Sequence, residues 1–179
     1  MHPNDRPHRF AAVQRIVGLL LMIFSLTMLP PVLVSLWYGD GTAYTFVLGA
    51  AITVLAGALA FAPVRKVKAD LKLRDGFLVV VLFWTVLGLF GAVPLYLAFY
   101  PRLDVAQAVF ESMSGLTTTG ATVLVGLDTL PKSVLYYRQQ LQWLGGMGII
   151  VLAVAILPML GVGGICLLYT SDAADDLFR

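Results

Sequence analysis

Charged side chains are scarce in this chain: Asp, Glu, Lys and Arg make up only 12% of its 179 residues. A soluble domain carries about a quarter charged residues to cover its surface, so an ordinary water-soluble fold is excluded. Cysteine is almost absent too. With Cys166 alone no intrachain disulfide can form, and the redox compartment is not readable. The two histidines, His2 and His8, sit in a polar N-terminal stretch without Cys or carboxylate partners at ligand spacing, so no metal centre is expected there. A net charge of +2 gives no case for a nucleic-acid partner. What remains is apolar: 59% of residues are hydrophobic and the mean hydropathy is +0.88. The fold class this implies is an all-α integral membrane protein, with membrane lipid as its surroundings.

Four apolar runs divide the chain. The first, Ile16 to Tyr38, has spanning length, since about 20 helical residues cross a hydrocarbon core. Arg6, Arg9 and Arg15 precede it like the basic end of a signal peptide. The run is nevertheless too long for one, and no small-residue cleavage site closes it, so it is expected to stay as a first span. Pro30-Pro31 should kink this helix or end its regular part, which a bundle tolerates if neighbours satisfy the freed carbonyls. Gly39-Asp40-Gly41-Thr42 reads as a turn and Tyr44 to Pro63 as the second span. Residues 16–63 are thus a transmembrane hairpin behind an N-terminal stretch, 1–15. The connector 64–75 carries five basic residues against two acids beside two membrane ends, a positive-inside signal. The N-terminus and this connector are therefore expected to be cytoplasmic. Gly76 to Tyr100 is the third span, and Leu141 to Leu160 the fourth.

Between the third and fourth runs the pattern changes. Asp104 is a plausible N-cap, and Val105, Val109, Phe110 and Met113 follow at helical spacing. The predicted helix, about 12 residues long, is too short to span. Thr117-Thr118-Thr119-Gly120-Ala121-Thr122 comes next, a poor helix and a poor strand, and Val123 to Lys132 then reads as an extended return. A short helix, an extended Thr/Gly run and a return to the same side make the pattern of a pore loop. Extended backbone at membrane depth survives only when buried in protein or lining a wet cavity. Its carbonyls can replace the water a cation sheds, without a full charge that would trap it. Gly120 would let a carbonyl turn inward. A surface helix followed by an ordinary polar loop fits the same spacing. Gly145, Gly146 and Gly148, opening the fourth span, allow close approach of another helix or of the pore loop. Arg138 sits near the outer end of that span, where it can snorkel to water. No His/Asp/Glu constellation lies within the spans, and Glu111 is the only acid in the short helix, so the sequence offers no catalytic residues.

The strings Phe110-Glu-Ser-Met-Ser-Gly-Leu-Thr-Thr-Thr-Gly-Ala-Thr-Val-Leu124, Gln142-Trp-Leu-Gly-Gly-Met-Gly-Ile-Ile150 and Ala155-Ile-Leu-Pro-Met-Leu-Gly-Val-Gly-Gly164 carry a family resemblance. With Arg74-Asp-Gly-Phe77 they resemble the TrkH family, the potassium-translocating subunits of bacterial Trk uptake systems in the Trk/Ktr/HKT superfamily. The resemblance implies an N-terminal hairpin followed by four M1–pore loop–M2 repeats. Residues 76–164 are then the first repeat, with M2 beginning near Ser133. It implies potassium uptake, with K⁺ held by backbone carbonyls of Thr118, Thr119 and Gly120, flanked by Thr117, Ala121 and Thr122. It also implies a homodimer in the bacterial inner membrane, a cytoplasmic nucleotide-binding regulatory subunit of TrkA type, and no cofactor beyond the transported K⁺. After Gly164 the resemblance stops. Residues 165–179, with Cys166-Leu-Leu-Tyr-Thr-Ser-Asp-Ala-Ala-Asp175, resemble a translated sequencing adapter, so a non-native tail is expected there. A homotetrameric two-span channel and a non-transporting membrane scaffold are the alternatives. The unneeded hairpin and the adapter-like end argue against the first.

Overall fold

A computed structural model describes residues 6–65 and 73–159, with side chains over 10–65 and 77–150. Among the described residues six α-helices follow one another: α1 (Arg6–Leu26), α2 (Leu29–Tyr38), α3 (Ala43–Phe61), α4 (Leu73–Leu97), α5 (Val105–Leu116) and α6 (Lys132–Met159). Short 3₁₀ turns occupy Ala62–Val64 and Leu127–Thr129. No strand occurs among the described residues. The all-α membrane class expected from composition therefore holds. Phe10–Tyr38, Ala43–Val64 and Phe77–Leu97 are each long and apolar enough to cross a membrane.

The first span comes as two helices rather than one. Pro30 and Pro31 lack an N–H, so the carbonyls four residues earlier lose their helical partners. The chain answers with a turn at Thr27–Met28, where the N–H groups of Thr27 and Met28 donate to the Phe24 and Ser25 carbonyls at 3.0 and 3.1 Å. The Thr27 carbonyl, facing Pro31 without a donor, accepts Gln140 Nε2 of α6 at 2.7 Å. A neighbouring helix thus satisfies the freed group, as the sequence requires. At the other end α1 begins at Arg6, well before Ile16, so most of the stretch expected as a polar tail is helical. Gln14 donates to the Ala60 carbonyl and the Arg15 guanidinium lies 5.9 Å from the Phe61 ring centre, which ties the end of that added stretch to α3.

The hairpin closes on glycine. A Cβ placed on Gly18 would come 2.9 Å from the Gly57 carbonyl, and one on Gly57 would come 2.8 Å from the Gly18 carbonyl. Only residues without side chains let α1 and α3 approach this closely. Both helices also pack on α4, whose Pro94 seats against Gly49. Helix α4 ends at Leu97, three residues before Tyr100. Helix α5 lies against α4 on one side and α6 on the other. The core between them gathers Phe24, Met28, Phe46, Leu87, Leu95, Leu116, Tyr137 and Leu141. Leu33, Leu36, Trp37, Leu55, Leu59 and Phe99 point outward and are exposed, an apolar exterior that suits lipid. Residues 66–72 of the basic connector and everything from Leu160 onward, including the fourth span's end and the adapter-like stretch, lie outside the described residues.

Candidate functional site

Helix α5 is fixed at both ends by its own sequence. Asp104 Oδ1 accepts from the Gln107 N–H at 2.7 Å, and Gln107 Oε1 accepts from the Asp104 N–H at 3.1 Å, a reciprocal capping box. Asp104 was legible as the cap; Gln107, its partner, completes it. At the far end Thr117 Oγ1 and the Thr117 N–H both donate to the Met113 carbonyl, at 2.8 and 2.9 Å. The short helix therefore forms where the spacing placed it, over Val105–Leu116.

The run that follows folds back onto this helix end. The Thr118 N–H donates to the Gly115 carbonyl at 2.9 Å, and those of Thr119 and Gly120 to the Ser114 carbonyl at 3.0 and 3.4 Å. This convergence has a backbone cause. Thr117 has φ −80°, Thr118 has φ 56° and Gly120 has φ 75°. Passing from right-handed to left-handed angles turns successive N–H groups into one concavity. A left-handed angle is routine for glycine. For the β-branched Thr118 it is an outlier costing about 1–2 kcal/mol. With the N–H groups turned back, no hydrogen bond from any described residue ends on the carbonyls of Thr118, Thr119 or Gly120. Residues 117–123 are all exposed. Ala121 differs, because its carbonyl accepts Ser114 Oγ at 2.6 Å and so turns toward α5.

Glycine sets the distance between the end of α5 and α6. Gly145 lies so close to the Leu116 carbonyl that an added Cβ would overlap that oxygen. Gly146 faces the Thr118 methyl with room to spare, a Cβ there standing 3.8 Å away, and Gly148 faces Phe83 and Trp84 at 3.9 Å. The close approach expected of these three glycines is thus made by Gly145.

Behind the return limb sits a buried ion pair. Glu111 is 2% exposed, and its Oε2 accepts Arg138 Nε at 2.8 Å. Oε1 accepts both the Thr122 hydroxyl and the Val123 N–H at 2.6 Å. Arg138 does not snorkel: it is 9% exposed and turned inward. The reason is Glu111, which α5 directs into the protein, where an unpaired charge would cost several kcal/mol. The two residues stand 27 positions apart. The available signal was two isolated charges of opposite sign in neighbouring apolar elements.

A second carboxylate, Asp40, joins the hairpin turn to the start of α6. Its Oδ2 accepts the Ser133 N–H and hydroxyl at 3.0 and 2.6 Å. Its Oδ1 accepts Ser35 Oγ at 2.5 Å, Thr42 Oγ1 at 2.9 Å and the Thr42 N–H at 3.1 Å. Thr42 and Ser133 hydroxyls also touch each other. Partial burial raises the Asp40 pKa, but the hydrogen bonds from Ser133, Ser35 and Thr42 outweigh it and hold the carboxyl well below its usual range. Asp40 serves as an N-cap borrowed from another element, at the positive end of α6.

Comparisons with known proteins agree with this architecture. The family model TrkH, described as a cation transport protein, matches residues 43–178. The chain is 61% identical over 158 residues to the Trk system potassium uptake protein TrkH of Halomonas elongata, covering 88% of this chain and 33% of that one. To the protein of the same name in Escherichia coli K12 it is 59% identical, covering 87% and 32%. The crystal structure of the potassium transporter TrkH from Vibrio parahaemolyticus matches with a TM-score of 0.81 at 60% identity, covering 87% of this chain and 33% of that one. The chain spans about a third of the length of these relatives.

Proposed function

The chain belongs to the TrkH family of cation transport proteins, and we propose on that footing that it is the N-terminal part of a potassium uptake subunit. Residues 76–164 form its first M1–pore loop–M2 repeat, and the carbonyls of Thr118, Thr119 and Gly120 contribute one quarter of a K⁺ coordination ring. The observation that carries this is the direction of the backbone. All four N–H groups from Thr117 to Gly120 point back to the end of α5, while the carbonyls of Thr118, Thr119 and Gly120 are exposed and accept no hydrogen bond from the described residues. A run of unengaged carbonyl dipoles is what a dehydrating cation needs. Thr117, Ala121 and Thr122 flank the ring. Ala121 is a flank rather than a ligand, because Ser114 takes its carbonyl.

One loop cannot encircle an ion. The other three loops belong to further repeats of a longer chain, which works as a homodimer in the bacterial inner membrane with a TrkA-type nucleotide-binding subunit on its cytoplasmic face. The N-terminus and the 64–75 connector are cytoplasmic, and the pore loop enters from outside. The relatives' names support the ion: proteins about 60% identical to this chain are potassium uptake proteins.

Gly120 provides the test. In the full-length parent carrying this segment, Gly120→Ser adds a Cβ at φ 75°, where the backbone disfavours it. Space does not oppose the change, since Gln142 Nε2 stands 3.7 Å from the new atom. The expected result is normal membrane expression with impaired rubidium uptake or weakened preference over Na⁺. Unchanged uptake and unchanged preference would place Gly120 in an ordinary loop.

A further inference from the structure

The geometry points to Glu111 and Arg138 as paired positioning residues for ion selectivity: Glu111 braces the return limb of the loop, and Arg138 cancels the charge it brings there. This inference rests on the transport reading above. Glu111 Oε1 takes the Val123 N–H and the Thr122 hydroxyl, each at 2.6 Å, two and three residues beyond Gly120. Thr122 Oγ1 in turn accepts the Leu124 N–H at 3.0 Å, so one carboxylate oxygen organises residues 122–124. Oε2 takes Arg138 Nε at 2.8 Å from α6. All these contacts to Glu111 are donors, as a carboxylate requires. The side chain is closed off from solvent on α5.

The brace therefore joins three elements at the point where the loop turns away from its exposed carbonyls. The spacing between the end of α5 and the return limb is held by hydrogen bonds to a single rigid group. A carboxylate in that place carries a hazard, because a net negative charge just behind a cation site would hold the ion and slow its release. Arg138 removes that charge from the ion's point of view while leaving the oxygens available to the loop. Removing either partner then leaves the opposite uncompensated charge close to the ion path. The two losses should act on cation affinity in opposite directions, a sign that ordinary destabilisation would not produce.

The test uses the full-length parent in cells lacking other potassium importers, with rubidium uptake normalised to the amount of protein in the membrane. Arg138→Gln leaves Glu111 unpaired, and KM for Rb⁺ should fall roughly three- to tenfold, with a lower maximal rate. Glu111→Gln leaves Arg138 unpaired, and KM should rise by a similar factor. The double variant, again neutral, should return KM toward the parent's value while Rb⁺ over Na⁺ discrimination stays reduced. Should the single variants fail to reach the membrane, Thr122→Val is the second arm. It keeps the ion pair, removes one exposed residue's hydroxyl, and should lower Rb⁺ over Na⁺ discrimination. KM shifts of the same sign in both single variants, or no shift in either, would overturn the pairing. An unchanged ion preference in Thr122→Val would overturn the brace. If the unmodified parent takes up no rubidium, it is the transport reading that fails instead.

Discussion

At the scale of single residues, substitutions at Thr118 separate backbone from side-chain coordination in the proposed cation site. Thr118 makes no side-chain hydrogen bond among the described residues, whereas the Thr117 and Thr119 hydroxyls bond each other at 2.7 Å. Thr118→Val keeps the β-branched shape and removes a hydroxyl that holds nothing in place. Rubidium uptake should therefore survive it, and an abolished uptake at normal expression would mean that the hydroxyl binds the ion. Thr118→Asp places a full charge beside the carbonyls and should hold the cation too tightly to release. Uptake unchanged by Asp would remove Thr118 from the ion path.

Asp40 gives a residue-scale expectation for stability. Its folded-state carboxyl lies below its ordinary pKa, so the stabilisation is fully present above about pH 4 and is lost as pH falls further. Asp40→Ala should cost about 1–3 kcal/mol at neutral pH, because it strips a charged acceptor from Ser35, Thr42 and Ser133. In thermal unfolding in detergent, the difference between Asp40→Ala and the parent should shrink as pH is lowered from 7 to 3. A difference constant across that range would mean that the carboxylate's charge contributes nothing.

At the scale of elements, closeness between α5 and α6 is the controlling quantity. Gly145→Ala would drive a methyl into the Leu116 carbonyl, a backbone atom at the last turn of α5. Overpacking of this kind costs about 1–3 kcal/mol, and here it displaces the helix end from which the loop hangs. Gly146→Ala meets only a methyl at 3.8 Å. Reduced thermal stability and uptake in Gly145→Ala, with little change in Gly146→Ala, is the expected pair of results. Equal tolerance of both would mean that α6 stands farther from α5.

The same elements show what the sequence could and could not disclose. Local signals carried α5: Asp104 as cap, the apolar spacing over Val105–Met113, and the Thr/Gly run that stops the helix were all adjacent in the chain. The Pro30-Pro31 break was equally legible, because a missing N–H acts on carbonyls four residues away. Its resolution by Gln140 was not, since the donor stands 113 positions along the chain. Arg138 was misplaced for the same reason. Nothing near it in sequence says that Glu111 faces it, and an arginine near a span's end ordinarily reaches for water. Asp40 looked like a turn residue and proved to be the cap of a helix that begins 92 residues later. Long-range polar pairing has no period to read.

At the scale of the whole molecule, topology and the ion path are the claims at stake. With the connector inside and the pore loop entering from outside, single cysteines at position 68 should be labelled from the cytoplasm and at position 128 from the exterior. External labelling at 68 but not at 128 would invert the arrangement. In the proposed site, the exposed carbonyls of Thr118, Thr119 and Gly120 coordinate the transported cation. Anomalous diffraction from crystals of the full-length parent soaked in rubidium tests it most directly. An anomalous peak is expected on the pore axis within coordinating distance of these three carbonyls. A well-occupied rubidium site elsewhere along the axis, with these carbonyls facing no ion, would contradict it.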